Sequence, residues 1–150
     1  MSDDRIQVEI QGIVPTPGGS GIFLTAEGKT MSIFVDPMAT RALSLAMDGD
    51  AAPRPLTHNL MISVLGGLGV ELKEVYIHDF REETYYARLI LEQENELGKS
   101  VLEVDARPSD GIILATHLSA PVNVSREVWD QAEDMSWALN PSDRSDEDTL

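Results

Sequence analysis

Two short segments combine an arginine, a proline and small polar side chains just before an apolar run of helical spacing. Residues 54–59 have the sequence Arg-Pro-Leu-Thr-His-Asn, and residues 105–110 have Asp-Ala-Arg-Pro-Ser-Asp. Proline biases the preceding residue toward extended backbone and is favoured at the first helical position. Arg54 and Arg107 are therefore predicted to lie beside helix N-termini, where backbone N–H groups favour an anion. This pattern predicts a cradle for a phosphate or a carboxylate.

The same residue types also fit a structural role. Ser, Thr and Asp are preferred at helix N-caps, and an aspartate in the first helical turn interacts favourably with the helix dipole. Thr57 is predicted to cap one helix, and Arg107 with Asp110 fits an ion pair that holds the next helix in place. Residue types alone therefore leave both an anion-binding site and a pair of capped helices open.

His58 is the histidine whose surroundings suit proton transfer, because imidazole titrates near neutral pH and Arg54, Thr57 and Asn59 lie close in sequence. The alternative interpretation is that His58 is an exposed residue in the first turn of a helix and has no chemical role. His78 and Asp79 are neighbours on a predicted strand and would point to opposite faces, so they do not form a natural metal pair. The chain contains no His-x-x-x-His or EF-hand metal motif, nucleophile elbow or phosphate-binding glycine loop.

Composition restricts the function further. The 150 residues predict one domain, and the absence of cysteine excludes disulfides, cysteine zinc sites and thiol nucleophiles. A net charge of −15 opposes long-range attraction to nucleic acid, so binding through a broad basic face is not expected. No apolar run approaches the roughly 18 residues of a membrane span, and the acidic first residues do not resemble a signal peptide. A cytoplasmic location is expected.

Hydrophobic periodicity predicts an α+β fold made of two copies of a βββαα unit, over residues 5–69 and 70–139. Strands are predicted over 5–14, 21–26, 31–35, 72–79, 84–92 and 100–104, and helices over 37–47, 58–68, 108–118 and 125–139. Val35-Asp36 matches Val104-Asp105 at an offset of 69, and Leu45 matches Leu114 at the same offset. The two copies are expected to be related by a pseudo-two-fold axis, with Leu45 and Leu114 equivalent and buried. Residues 140–150 are expected to form a flexible acidic tail.

The two arginine-proline segments resemble the bifunctional nuclease family. Residues 54–60 are similar to that family's Arg-Pro-Leu-Thr-His-Asp-Leu segment, and residues 107–112 to its Arg-Pro-Ser-Asp-Ala-Ile segment. Residues 75–80, residues 84–87 and the segment around Pro121 also resemble the family, so that the likeness covers about residues 5 to 135. The resemblance implies nuclease activity on DNA and RNA and a duplicated α+β fold with a barrel-like sheet and helices packed outside it.

The chain departs from the family pattern at four places. Val35-Asp36 stands where the family commonly has Ile-Gly, Ala39 where it has Glu, Asn59 where it has Asp, and Gly111 where it has Ala. We expect any nuclease activity to be weak, to need a divalent cation, and to fall steeply with salt on a polymeric substrate.

With this resemblance, the site residues can be given chemical roles. Arg54, Thr57 and Arg107 would bind the substrate phosphate, His58 would transfer a proton, and Ser109 would orient an oxygen. Asp110 and Asp79 are candidate ligands of Mg²⁺ or Mn²⁺, and no organic cofactor is expected. Nucleic acid is the expected substrate, no membrane partner is expected, and edge strands together with two Trp near the C-terminus suggest a homo-oligomer. The alternative function is a non-enzymatic module that holds a small anion at the same helix N-termini.

Overall fold

A computed structural model describes residues 4–139, which form one seven-stranded mixed sheet with helices packed against it. The strands are β1 (Arg5–Thr16), β2 (Gly19–Ala26), β3 (Lys29–Val35), β4 (Val70–Arg81), β5 (Thr84–Asn95), β6 (Gly98–Ala106) and β7 (Val122–Ser125). The helices are α1 (Pro37–Asp48), α2 (Thr57–Gly67), α3 (Pro108–Leu118) and α4 (Arg126–Gln131), followed by a 3₁₀ turn at Ser136–Leu139. The architecture is therefore α+β, as predicted.

The strand order is β3-β2-β1-β7-β4-β5-β6. Neighbouring strands are antiparallel except β4 and β7, which are parallel. β1 is shared between two parts of the sheet, since residues 5–8 pair with β7 and residues 9–16 pair with β2, with a bulge between Ile10 and Gly12. The short strand β7 therefore joins the first three strands to the last three.

The core lies between the sheet and the helices, with buried residues from α1, α3 and α4. Alternate residues of β5 from Ala87 to Leu91 are buried, as a half-buried strand requires, and in β4 a bulge between Leu72 and Glu74 shifts the alternation. Seven of the eleven residues of α3 are buried, because this helix packs centrally on the sheet while α1 and α2 flank it. α2 contributes no fully buried residue. Since α3 is fixed by its packing, the residues at its N-terminus are held in one position.

The end of the chain differs from the sequence prediction. The stripe Val128, Ala132, Met135 and Leu139 predicts one long helix, but α4 stops at Gln131. The chain then crosses to β3, where Met135 N donates to Thr30 O at 2.7 Å. The strand β7 was not predicted, because its four residues between Pro121 and the helix cap are too short to give a periodicity signal. The second half of the chain therefore does not follow the βββαα order element by element.

The sheet does not close into a barrel. β3 and β6 each lie at one end of the strand order. The residues after α4 cover part of β3, and β6 is exposed on both of its faces. The two edge strands therefore do not pair with each other. Leu114 is buried, whereas its proposed equivalent Leu45 is only half-buried. The internal duplication stays a prediction, and the predicted tail, residues 140–150, lies outside the described residues.

The helices within residues 4–139 are shorter than the thickness of a lipid bilayer. A helix that crosses a membrane needs about 20 residues. The longest helix here, α1, has 12, and none of the described helices is long and apolar enough to span a membrane.

Candidate functional site

Three helix N-termini meet beside the sheet and bring together side chains that lie far apart in sequence. Asp36 precedes α1, and its Oδ1 accepts a hydrogen bond from Ala39 N at 2.8 Å, which caps that helix. Arg107 occupies the N-cap position of α3 with extended backbone, followed by Pro108 at the first helical position. The proline forces this conformation on Arg107, as the sequence predicted. The arginine side chain is thereby aimed across the start of its own helix.

Arg107 connects two carboxylates. Its Nε donates to Asp110 Oδ2 at 2.9 Å and one terminal nitrogen donates to Asp110 Oδ1 at 3.2 Å, which makes the pair bidentate. The other terminal nitrogen donates to Asp36 Oδ2 at 3.1 Å. The guanidinium therefore uses three of its five N–H donors on protein carboxylates. The ion pair that the sequence offered as a structural alternative is present, and it extends to Asp36 in a second segment of the chain.

His58 completes this group from the first turn of α2. Its Nε2 lies 2.8 Å from Asp110 Oδ1, and the side chain is 13% exposed. An ionised carboxylate can only accept, so Nε2 must carry the proton in this contact. Nδ1 is then the ring atom that can accept a proton. We call Asp36, His58, Arg107 and Asp110 the Arg107 cluster.

The charges in the Arg107 cluster stabilise one another. Partial burial raises the pKa of Asp110, but hydrogen bonds from Arg107 and His58 outweigh this effect and leave the pKa below its ordinary value. A hydrogen bond from Ala39 N and the contact with Arg107 lower the pKa of Asp36. The hydrogen bonds and charge of Asp110 and Asp36 raise the pKa of Arg107. At neutral pH two carboxylates thus face one guanidinium, and the excess negative charge favours a bound cation.

The Arg107 cluster lines an open cleft of about 780 Å³ between α1, α2 and the start of α3. This volume is typical of small-molecule sites, which span roughly 300–1,000 Å³. The cleft is lined by Asp36, Pro37, Met38, Ala39, Arg41, Ala42, Leu56, Thr57, His58, Met61, Arg107 and Asp110. Its lining therefore combines charged side chains with methionine, alanine and leucine side chains.

The structure brings together some of the predicted site residues and separates others. Thr57, His58, Arg107 and Asp110 all line the cleft. Arg54 is exposed and lies outside the cleft lining, although it is two residues from the cleft residue Leu56. Thr57 is the first residue of α2 and does not cap it; the N-cap position is Leu56, whose N–H donates to Asn59 Oδ1 at 2.9 Å.

Ser109 and Asp79 do not line the cleft. Ser109 is 7% exposed and lines a smaller cavity of about 250 Å³ on the other side of Asp36 and Arg107, which line both cavities. Asp79 is bonded locally: its Oδ2 lies 2.8 Å from Arg81 Nε, and its Oδ1 accepts from Phe80 N. The expectation that Asp79 and Asp110 share one site therefore has no support in the contacts of either residue. Among residues 4–139 no group of three or more His, Asp or Glu side chains is arranged to hold a metal.

Two charged cleft residues were missed by sequence reasoning. Asp36 was named only in the internal repeat and as a departure from the family pattern, and nothing in the sequence signals that its second oxygen reaches Arg107, 71 positions away. Arg41 was not considered, since one arginine on a helix of mixed composition carries no motif. It lies one turn after Pro37 on the α1 wall of the cleft, and that helical spacing is the signal that could have identified it.

The positions that depart from the family pattern have separate structural roles. Ala39 lines the cleft, while its N–H binds Asp36. Asn59 accepts the hydrogen bond from Leu56 N, as an aspartate at this position could. Gly111 packs so closely on β4 that an added Cβ would lie 2.6 Å from Val75 Cγ1. Only the substitutions at 36 and 39 alter the charge of the cleft itself.

Comparison with known proteins identifies the family. The model of the bifunctional nuclease domain matches residues 22–136, which include the whole Arg107 cluster, and the chain belongs to this family. It is 34% identical over 146 residues to "Uncharacterized protein Rv1829" of Mycobacterium tuberculosis strain H37Rv, covering 95% of this chain and 82% of that protein. It is 27% identical over 105 residues to "Bifunctional nuclease 1" of Oryza sativa subsp. indica, covering 68% of this chain and 31% of the rice protein. The matched segment is thus about a third of the rice nuclease.

Proposed function

We propose that this protein is a nuclease that hydrolyses phosphodiester bonds of DNA and RNA in the cleft at the Arg107 cluster. The observation that carries the proposal is the meeting of three separate segments: Asp36 and Asp110 bind Arg107, and His58 binds Asp110, in a chain of the bifunctional nuclease domain family. A histidine oriented by a carboxylate, beside an arginine guanidinium and an accessible cleft, supports phosphoryl-transfer chemistry.

Each residue has a role in this proposal. Asp110 holds the His58 ring through Nε2, so that Nδ1 can take a proton from an attacking water. Two N–H donors of Arg107 are not used in its contacts with the two carboxylates, and they are proposed to stabilise charge on the phosphate. Thr57 is proposed to bind substrate from the α2 side of the cleft. Arg54, exposed beyond the cleft, is proposed to contact a phosphate farther along a bound strand.

A divalent cation is part of the proposal. Mg²⁺ keeps several waters and is commonly held by one or two carboxylates together with substrate phosphates, so a cage of three protein ligands is not needed. Asp110 and Asp36 are the carboxylates of the cleft, and their excess negative charge fits a cation there. The cation would supply Lewis-acid stabilisation of the phosphate.

The test compares the purified wild type with Asp110→Asn, Arg107→Ala and His58→Gln on single-stranded DNA and RNA, with Mg²⁺ or Mn²⁺ and with chelator. Asp105→Asn removes an exposed carboxylate on β6, two residues before Arg107, and serves as the matched control. We expect His58→Gln to lower turnover by about a hundredfold or more, the usual contribution of a general base. Asp105→Asn should cleave like the wild type.

Equal cleavage by all variants would identify a contaminating nuclease and contradict the proposal. A wild type that cleaves neither substrate, but binds a small anion in a manner lost in Arg107→Ala, would favour the alternative of a non-enzymatic binding module. Unfolding curves recorded for each variant separate lost chemistry from lost structure.

Two further expectations belong to this proposal. A cytoplasmic location is proposed on the absence of cysteine. Self-association is proposed on the open edge strand β6, which exposes apolar side chains. Trp129 does not contribute to such an interface, because it is 2% exposed within its own chain, whereas Trp137 is 45% exposed.

A further inference from the structure

Arg41 differs from the other arginine of the cleft in its contacts. Arg107 is bonded to two carboxylates, whereas Arg41 is exposed and has no hydrogen bond, ion pair or ring contact with any residue of the described part of the chain. An arginine that already neutralises two carboxylates gains less from a phosphate than one whose donors face water. The free guanidinium on the α1 wall is therefore the stronger phosphate-binding group of the two.

Apolar side chains lie in the same cleft as Arg41. Met38, on the same helix, is 85% exposed, and Met61 of α2 is 37% exposed. Methionine is flexible and polarizable, which suits contact with flat ligands of varied shape. A base can lie against such a wall only when it is unstacked from its neighbours, as in a single strand.

We propose that Arg41, Met38 and Met61 form a nucleotide subsite for single-stranded nucleic acid, in which Arg41 binds a phosphate and the methionines contact the attached base. The subsite rests on the proposed function, because it positions the strand for cleavage at the Arg107 cluster. The methionines offer base edges only a weakly accepting thioether sulfur and no donor, so the subsite discriminates little between bases.

Binding is measured by fluorescence anisotropy with a labelled oligothymidylate carrying phosphorothioate linkages, in chelator, over a range of salt concentrations. The variants are Arg41→Gln and Arg41→Lys, with Lys73→Gln as the control for loss of an exposed positive charge outside the cleft. Met38→Ser is paired with Met47→Ser, which removes an exposed methionine from the other end of α1.

Arg41→Gln should weaken binding about tenfold, a usual effect for a lost charged hydrogen bond. It should also make the plot of log K against log salt shallower by about 0.7, the contribution of one phosphate contact on a single strand. Arg41→Lys should restore the slope. Met38→Ser should weaken binding without changing the slope, and the two controls should bind like the wild type. In the cleavage assay Arg41→Gln should raise KM more than it lowers kcat.

The subsite is contradicted if Arg41→Gln keeps the affinity and slope of the wild type, if Lys73→Gln loses as much as Arg41→Gln, or if the wild type does not bind the probe. Tighter binding of a duplex of the same length would contradict the preference for single strands. A wild type that binds through Arg41 but cleaves nothing would support the subsite and contradict the nuclease proposal, so the two failures are distinguishable.

Discussion

Asp110 accepts hydrogen bonds from the Arg107 guanidinium and the His58 imidazole. These contacts make the free energy of unfolding fall at acid pH. The pKa of its carboxyl is lower in the folded chain than the ordinary 3.8, so the ionised form favours folding. The stabilisation is present above the unfolded-state pKa, and it is lost as the pH falls below about 3.8 through the lower folded-state pKa.

We therefore expect Asp110→Asn to lower the free energy of unfolding by about 1 kcal/mol at neutral pH, since the side chain is 30% exposed and its charged contacts are partly screened. The difference from the wild type should shrink as the pH falls below 3.8, the ordinary carboxyl pKa. Urea unfolding measured at several pH values checks this. A difference that persists unchanged in acid would show that the carboxylate charge is not what stabilises the Arg107 cluster.

Two helical glycines differ in the space that an added methyl group would meet, which gives a matched pair of substitutions. At Gly111, in α3, a Cβ would lie 2.6 Å from Val75 Cγ1, whereas at Gly66, in α2, it would meet nothing within 4 Å. Gly111→Ala should destabilise the fold by about 1–3 kcal/mol through overpacking. Gly66→Ala should stabilise it by about 0.5–1 kcal/mol through helix propensity and a reduced entropy of the unfolded chain.

Chemical denaturation measures both glycine variants, and a Gly111→Ala/Val75→Ala double mutant tests the cause. If the clash with Val75 is responsible, the two substitutions together should cost less than the sum of their separate effects. Additive effects would place the strain elsewhere.

The short strand β7 is expected to be more protected than the longer strand β6. Val124 of β7 is fully buried and the strand pairs on both sides with β1 and β4, while β6 pairs only with β5. Opening β7 requires separating the two halves of the sheet, so its amides should exchange near the global unfolding rate. Hydrogen exchange followed by mass spectrometry or NMR checks this; equal exchange in β6 and β7 would contradict the strand order.

Self-association is the prediction that belongs to the whole molecule. β6 exposes Val101 (62%), Leu102 (45%) and Val104 (41%) on an unpaired edge. Two copies that each carry −15 repel one another, so pairing through β6 should strengthen as salt screens the charges. Sedimentation velocity at low and at physiological salt should show this increase.

Val101→Lys should leave a monomer in the same measurement, because charged edge strands resist pairing. Leu60→Lys on α2, where the side chain is 58% exposed, is the control and should associate like the wild type. A wild type that stays monomeric at high concentration would contradict the prediction.

The sequence by itself determined the α+β class, six of the seven strands and the position of three helices, because these depend on local periodicity and on proline and cap residues. It also identified His58, Arg107 and Asp110 as candidate site residues, because each lies in one of the two arginine-proline segments at a predicted helix N-terminus. Such signals depend on neighbouring residues and not on contacts between distant segments.

Only the tertiary structure decided which of these groups meet. The insertion of β7 at the centre of the sheet, the early end of α4 and the two unpaired edges depend on contacts between distant segments, which no local pattern encodes. For the same reason Asp36 and Arg41 became cleft residues, while Ser109 lines the adjoining cavity and Asp79 is bonded to Arg81. A side chain's residue type is a property of the sequence, but its partners are set by the packing of α1, α2 and α3 against one sheet.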